Sequence, residues 1–147
     1  MNKTPEKLPY EEFKKIYSRV PRLCIDLIFV QENGVLMIER AIDPGKGNWH
    51  FPGGTVLMGE SINDTITRIA AEETNLQVLD FELLGYMEFD ESENPYFHTI
   101  SMVFRINQFE GTLKGGRQGS HLKFHSQLPE KIIIEQKNFL QNTGMLK

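Results

Sequence analysis

Two adjacent glutamates, Glu72 and Glu73, are the residues best suited to chemistry, with Gly53-Gly54 upstream and Arg68 one turn before Glu72. Ser61 followed by Asp64 forms a capping-box signature, so a helix is expected to start at about Ile62. At 100° per residue Ile62, Ile66, Ile69 and Ala70 share one face, and Glu73 falls about 20° from Ile62. Glu72 stands on the border of that face. A carboxylate on an apolar stripe is costly without a partner. Glu73 either pairs with a buried arginine, snorkels to the edge, or serves a ligand. Paired glycines let the main chain approach another group closely. They stand just before a helix start, where amides and the dipole favour anions. A bare turn, a helix N-terminus and inward glutamates together suit Mg²⁺, which binds through one or two carboxylates plus substrate phosphates.

The surrounding elements must hold this segment in place. Phe13, Ile16, Tyr17 and Val20 follow helical spacing, which predicts a packing helix over 10–19 closed by Pro21. Leu23 to Val30 reads as a buried strand, Glu32-Asn33-Gly34 as a turn, and Val35 to Arg40 as the returning strand. A loop follows over 41–48. Further strands are expected at 79–89, 96–106 and 122–125, with an acidic loop at 90–95 and another loop at 111–120. A last amphipathic helix is expected over 130–141. Strand runs flanked by a few separate helices predict a mixed α/β sandwich rather than a regular βαβ winding.

The chain has 147 residues, a length that suits one domain over 1–147. Hydrophobic residues are 39% and charged residues 24%, a globular balance. The formal charge of -4 excludes coating nucleic acid by bulk electrostatics, but not one anionic ligand at a local site. Cys24 is the only cysteine, so an intrachain disulfide and a cysteine zinc cluster are excluded, in keeping with a reducing cytoplasm. The longest apolar stretch, 23–30, contains Asp26 and is too short to cross a bilayer, so no membrane partner is expected.

The segment 54–76 resembles the Nudix box, Gly-x5-Glu-x7-Arg-Glu-apolar-x-Glu-Glu-x-Gly-apolar. Gly54, Glu60, Arg68, Ala70, Glu72, Glu73 and Leu76 stand in step with it, and Trp49-x-Phe51-Pro52-Gly53 matches the family's usual lead-in. Two positions depart. Asn75 replaces the final glycine, a mild change because Asn also suits a left-handed C-cap. Ile69 replaces the glutamate after the arginine, which in many members binds metal or serves as base. The resemblance implies an α/β/α sandwich around a mixed β-sheet, Mg²⁺ or Mn²⁺ as cofactor, a small-molecule nucleotide substrate, and the homodimer common in the family.

Within the family the chain is most similar to the GDP-mannose mannosyl hydrolase branch, which also carries an apolar residue at the place of Ile69. The match runs from Glu12-Phe13 through Pro21 to Asp26-x-Ile28-x-Val30 and covers most of the first 90 residues. It implies Asp26, Arg40 and Gly54 at the substrate. It implies Gly53, Glu72, Glu73 and Gln118 at the metal. That branch attacks the sugar carbon with a late-loop histidine base. Gly119 stands at that histidine's place here, and His121 lies two residues on. Imidazole titrates near neutrality, so His121 is the first candidate base, with a surface-loop histidine as the plainer reading.

The expected function is a Mg²⁺-dependent hydrolase of a nucleoside diphosphate derivative, preferably a nucleoside diphosphate sugar such as GDP-mannose. Arg68, Glu72, Glu73 and His121 would form its catalytic set, and Arg40 could grip phosphate through its guanidinium fork. One alternative is attack at phosphorus with Glu88 or Asp90 replacing the missing base. The other is a catalytically silent nucleotide-binding module. Asp26 reads equally as a strand-end cap. His50 reads as packing, and His98 and His125 as lone structural histidines on strands.

Overall fold

The computed structural model describes residues 5–32, 34–43, 45–89, 98–116, 119 and 121–146. Strand β1, Arg22–Gln31, is buried on both sides from Cys24 to Phe29, which is why it reads as an unbroken apolar run. It lies parallel to β6, Thr99–Glu110, from Arg22 opposite Thr99 to Phe29 opposite Ile106. Strand β5, Gln77–Phe89, closes that side antiparallel to β6. On the other side β1 meets β2, Gly34–Glu39, and β2 carries β7, His121–His125, antiparallel. Two short strands complete the seven-stranded mixed sheet: β3, Trp49–His50, on β2, and β4, Gly53–Thr55, on β1.

Alternation along the strands sends side chains to two cores. Ile25, Leu27 and Phe29 of β1 pack with Ile66, Ile69 and Ala70 of helix α2, Ile62–Thr74. Ile28 packs the opposite way, with Val35, Met37 and Leu140, the last from helix α3, Ile134–Asn142. The result is the expected α/β/α sandwich. Burying Ile66 and Ile69 of α2 contributes roughly 1.5–3 kcal/mol each, and this fixes the helix that carries both glutamates.

Four expectations change. Helix α1 spans Tyr10–Tyr17, two residues short of Arg19, and it buries no residue. Its Phe13 and Tyr17 rings meet edge to face, and the Arg22 guanidinium of β1 lies over Phe13, so it rests half-exposed at the edge of the domain. Helix α3 starts at Ile134 rather than Glu130, because the preceding backbone pairs with β3. The Trp49 amide donates to the Lys131 carbonyl, and the Ile133 amide to the Trp49 carbonyl. Strand β6 begins at Thr99 and runs four residues past Ile106. His98 precedes it and so is not a strand residue. Strands β3 and β4 are too short to show a period, and only pairing with β2 and β1 makes them strands. Among the described residues no helix is long and apolar enough to cross a membrane.

Candidate active site

Helix α2 starts as its sequence dictates. The Ser61 hydroxyl accepts the Asp64 amide at 3.0 Å, and the Asp64 carboxylate accepts the Ser61 amide. It ends at Asn75 with φ 63°, a left-handed cap whose side-chain amide donates to the Thr112 carbonyl at 2.9 Å. The departure from glycine is thereby absorbed. Ile69 is 1% exposed and belongs to the core, so no group for chemistry stands at that position.

Arg68 is the hub of the segment. Its Nε and Nη2 form a fork onto Glu60 at 2.8 and 3.0 Å. Nη2 also donates to the Thr55 carbonyl at 2.8 Å, and Nη1 to Glu72 at 3.3 Å. The one-turn pair to Glu72 is therefore present, but Glu60 is the closer partner. Glu60 accepts the Leu57 amide and the Thr65 hydroxyl as well. Its side chain is 4% exposed. Burial raises its pKa, yet the Arg68 hydrogen bond and charge, with the Leu57 and Thr65 bonds, outweigh this and hold it below the usual range. Glu60 thus ties the β4 end to α2, a role that its place in the box alone did not reveal.

The two glutamates differ. Glu72 is 39% exposed and carries Lys7 at 2.9 Å in addition to Arg68. Glu73 has a buried Oε2 with no hydrogen-bond partner. Its pKa is raised, first by burial and next by the charge of Glu72, with Lys7 and Arg68 pulling the other way. The Lys114 amide donates to the Thr74 carbonyl, which lays the late loop on the last turn of α2. Gly116 fits there because a Cβ would collide with the Glu72 carbonyl. Gly119 abuts β2 in the same way, at the Glu39 carbonyl and the Ile38 side chain.

Asp26 sits in the middle of β1, opposite Gly53, and is 8% exposed, so it is not a strand-end cap. The Ser101 hydroxyl donates a short hydrogen bond to it. Burial pushes its pKa up to about 6. A Cβ on Gly53 would run into the Asp26 carboxylate, whereas one on Gly54 meets only Ile69 at 3.5 Å. Gly53→Ala should therefore cost about 1–3 kcal/mol by overpacking, and Gly54→Ala much less; thermal melts of the two variants check this. A raised folded pKa means the native state holds its proton longer. Asp26 should then lower stability as pH rises from about 4 to about 6. Asp26→Asn should flatten that part of the melting-temperature profile.

The remaining site residues are spread along the ends of β2, β3 and β7. Arg40 follows β2, and its backbone closes the 41–48 loop through Asn48 and Gly47. Its charge reaches His50. The His121 Nδ1 meets Glu39 at 2.8 Å, and its ring lies edge-on to Trp49. His125 also contacts Trp49, at 4.4 Å between ring centroids, so it is not alone. His50 is 8% exposed; its Nδ1–H donates to the Phe51 carbonyl at 2.9 Å, and its buried Nε2 has no partner. Its burial comes from pairing with β2, which no local signal showed. Glu88 is exposed on β5. Gln118, Asp90, Glu91, Glu93 and Arg117 lie outside the described residues.

A carboxylate pair with one buried, unpartnered oxygen is a donor set for a hard divalent cation. Among the described residues no group of three or more His, Cys, Asp or Glu forms a closed cage. The unpartnered Glu73 oxygen beside Glu72 fits a hard divalent ion. In this mixed-sheet sandwich the glutamate helix α2 is tied to the glycine strand β4 through Arg68, which bonds Glu60, Glu72 and the Thr55 carbonyl.

The NUDIX domain model matches residues 20–142, and the chain belongs to that family and is a hydrolase by that membership. It is 32% identical over 127 residues to the low-salt glycan biosynthesis protein Agl8 of Haloferax volcanii, covering 83% of this chain and 81% of that protein. It is 34% identical over 104 residues to an ADP-ribose pyrophosphatase of Methanocaldococcus jannaschii, covering 71% of this chain and 61% of that one. Among solved structures, a MutT NUDIX hydrolase from Burkholderia pseudomallei shares the fold with a TM-score of 0.75 at 22% identity, over 84% of this chain and 98% of that one. Nudix hydrolases generally use divalent metal ions, and a Francisella tularensis relative at 19% identity and TM-score 0.64 was solved with a manganese ion, over 90% of this chain and 46% of that one.

Proposed function

We propose that the chain is a Mg²⁺-dependent hydrolase of a nucleoside diphosphate derivative, with a nucleoside diphosphate sugar such as GDP-mannose preferred. The observation that carries this reading is the buried, unpartnered Glu73 oxygen beside Glu72. Glu72, Glu73 and the Gly53 carbonyl would hold the metal, with Gln118 as a further ligand and Mn²⁺ as a substitute ion. When bound, Mg²⁺ neutralises the diphosphate and stabilises the charge of the leaving group. ADP-ribose, named for one relative, is a diphosphate joined to a sugar, and Agl8 is named for glycan biosynthesis.

The chain's own residues supply the rest. Arg68 clamps Glu60 and Glu72 so that the helix presents a fixed carboxylate pair. Asp26 backs Gly53 of β4, Gly54 leaves backbone room at the substrate, and Arg40 binds phosphate. Glu39 accepts the His121 Nδ1–H, which leaves Nε2 to take a proton from water. The water oxygen then bonds to the sugar carbon, and the bond from that carbon to the diphosphate oxygen breaks.

The burial of Ile69 favours this over a base on α2. The rival, attack at phosphorus with a base such as Glu88, predicts a different product label. Hydrolysis of GDP-mannose in oxygen-18 water with Mg²⁺ should put label in the sugar. Label in phosphate would establish the rival, and binding without product under any divalent ion would establish a silent module. His121→Gln should lower kcat by about 10²–10⁴-fold; an unchanged kcat would place the base elsewhere.

A further inference from the structure

At the opposite end of β2 from the glutamate helix lies a cavity of about 410 Å³, walled by the β1–β2 hairpin, the residue after β7 and the segment after α3. Arg105 of β6 opens into it, beside Ser126, Val35 and Leu146. Arginine carries five N–H donors. Among the described residues Arg105 makes no hydrogen bond and no ion pair, and its Nε is buried without a partner. Glu82 stands directly across on β5, yet it is exposed and does not reach the guanidinium. A half-buried guanidinium whose Nε has no hydrogen-bond partner is expensive, and native proteins seldom leave one without a purpose; the exposed Glu32 also lines the cavity but makes no ion pair with it. The wall opposite is closely packed. A Cβ on Gly34 would overlap the His125 carbonyl, so the hairpin end is pressed against the end of β7, next to Ser126.

We propose that this cavity is a second ligand site, and that it takes a small oxyanion through the Arg105 fork and the Ser126 hydroxyl. A guanidinium fork matches the paired oxygens of phosphate and carboxylate alike. Val30, Val35 and Leu146 give the cavity an apolar side, which suits an anion carried on a small organic group. The site is separate from the box glutamates. It uses none of the residues assigned to hydrolysis, so it stands or falls independently of the proposed activity.

The test uses the full chain in chelator, so that no divalent ion bridges anions to Glu72 and Glu73. Orthophosphate, a nucleoside monophosphate and acetate are titrated separately, with heat of binding and melting temperature as readouts. At least one should bind saturably, and Arg105→Met should weaken it tenfold or more. Ser126→Glu, at an exposed position that folding tolerates, should do the same by placing a competing carboxylate beside the guanidinium, while Mg²⁺-dependent turnover stays unchanged. Preference for the monophosphate over orthophosphate would assign the ligand to nucleotides, and the reverse to the free ion. Absence of saturable binding by all three anions, or equal binding by both variants, overturns the site.

Discussion

Glu73→Gln should silence metal-dependent hydrolysis and, in the same protein, raise the stability of the metal-free state. The two effects have one cause. The Glu73 carboxylate is held in a half-buried place with one oxygen unpartnered, next to the charge of Glu72. Such a site is unfavourable for the empty protein and favourable for a cation. The raised folded pKa fixes the sign. Between the unfolded and the folded pKa the native state holds more protons, so stability falls as pH rises through that window and stays lowered above it. An amide carries no charge and escapes the loss. The same amide is a poorer ligand for a hard ion, and removing one such electrostatic partner from a site costs on the order of 10²–10³-fold in kcat. Melting curves above neutral pH should rank Glu73→Gln above the parent in chelator. Adding Mg²⁺ should raise the parent's melting temperature and leave the variant's nearly unmoved. Unchanged Mg²⁺-dependent turnover in the variant would remove Glu73 from the metal site.

Arg68→Ala should have the largest effect on folding. It strands the Glu60 carboxylate, 4% exposed, without its fork partner. Removing one partner of a buried ion pair costs at most about 3–5 kcal/mol, an upper bound for this part-buried pair, and the Thr55 carbonyl also loses its bond from Arg68. Arg68→Lys should recover little, since an ammonium cannot reach Glu60, Thr55 and Glu72 with fixed planar geometry. The double variant Arg68→Met, Glu60→Gln should be less destabilised than Arg68→Ala, because no charge is stranded. Denaturant titration of the set gives the coupling directly. Glu60 has a folded pKa below its unfolded one, so its contribution is present above the unfolded value and lost as pH falls through the folded one. Acid should therefore remove this clamp's contribution as pH falls from the ordinary glutamate range to below it. Lys7→Ala is a useful contrast, since its pair with Glu72 is exposed on both sides and worth about 1 kcal/mol or less.

Helix α2 and its caps are legible in the sequence because their signals are local. The Ser61–Asp64 box starts α2 where the spacing says, and Ile62, Ile66, Ile69 and Ala70 form the inward stripe. Glu73 is partly buried, as its angle on that stripe requires. Asn75 takes the left-handed cap for the reason its side chain suggests. The late-loop residues were harder to place. Gln118 and the acidic run from Asp90 lie outside the described residues, and Gly119 proves to be a packing glycine against β2.

Sequence alone carried the ingredients of the candidate site: two adjacent glutamates, a glycine pair, an arginine one turn away, and no cysteine alternative. It also pointed to the sandwich, through strand runs flanked by a few separate helices. Tertiary structure decided which carboxylate is free. Glu60 and Glu72 are both claimed by Arg68, and Glu73 is not, because that choice depends on where β4 delivers the Thr55 carbonyl and where the late loop covers α2. It likewise decided that Asp26 and His50 are buried, through neighbours 75 positions away at Ser101 or across β2. Burial and pairing of that kind are set by non-local strand register, which a local pattern of residue types does not encode.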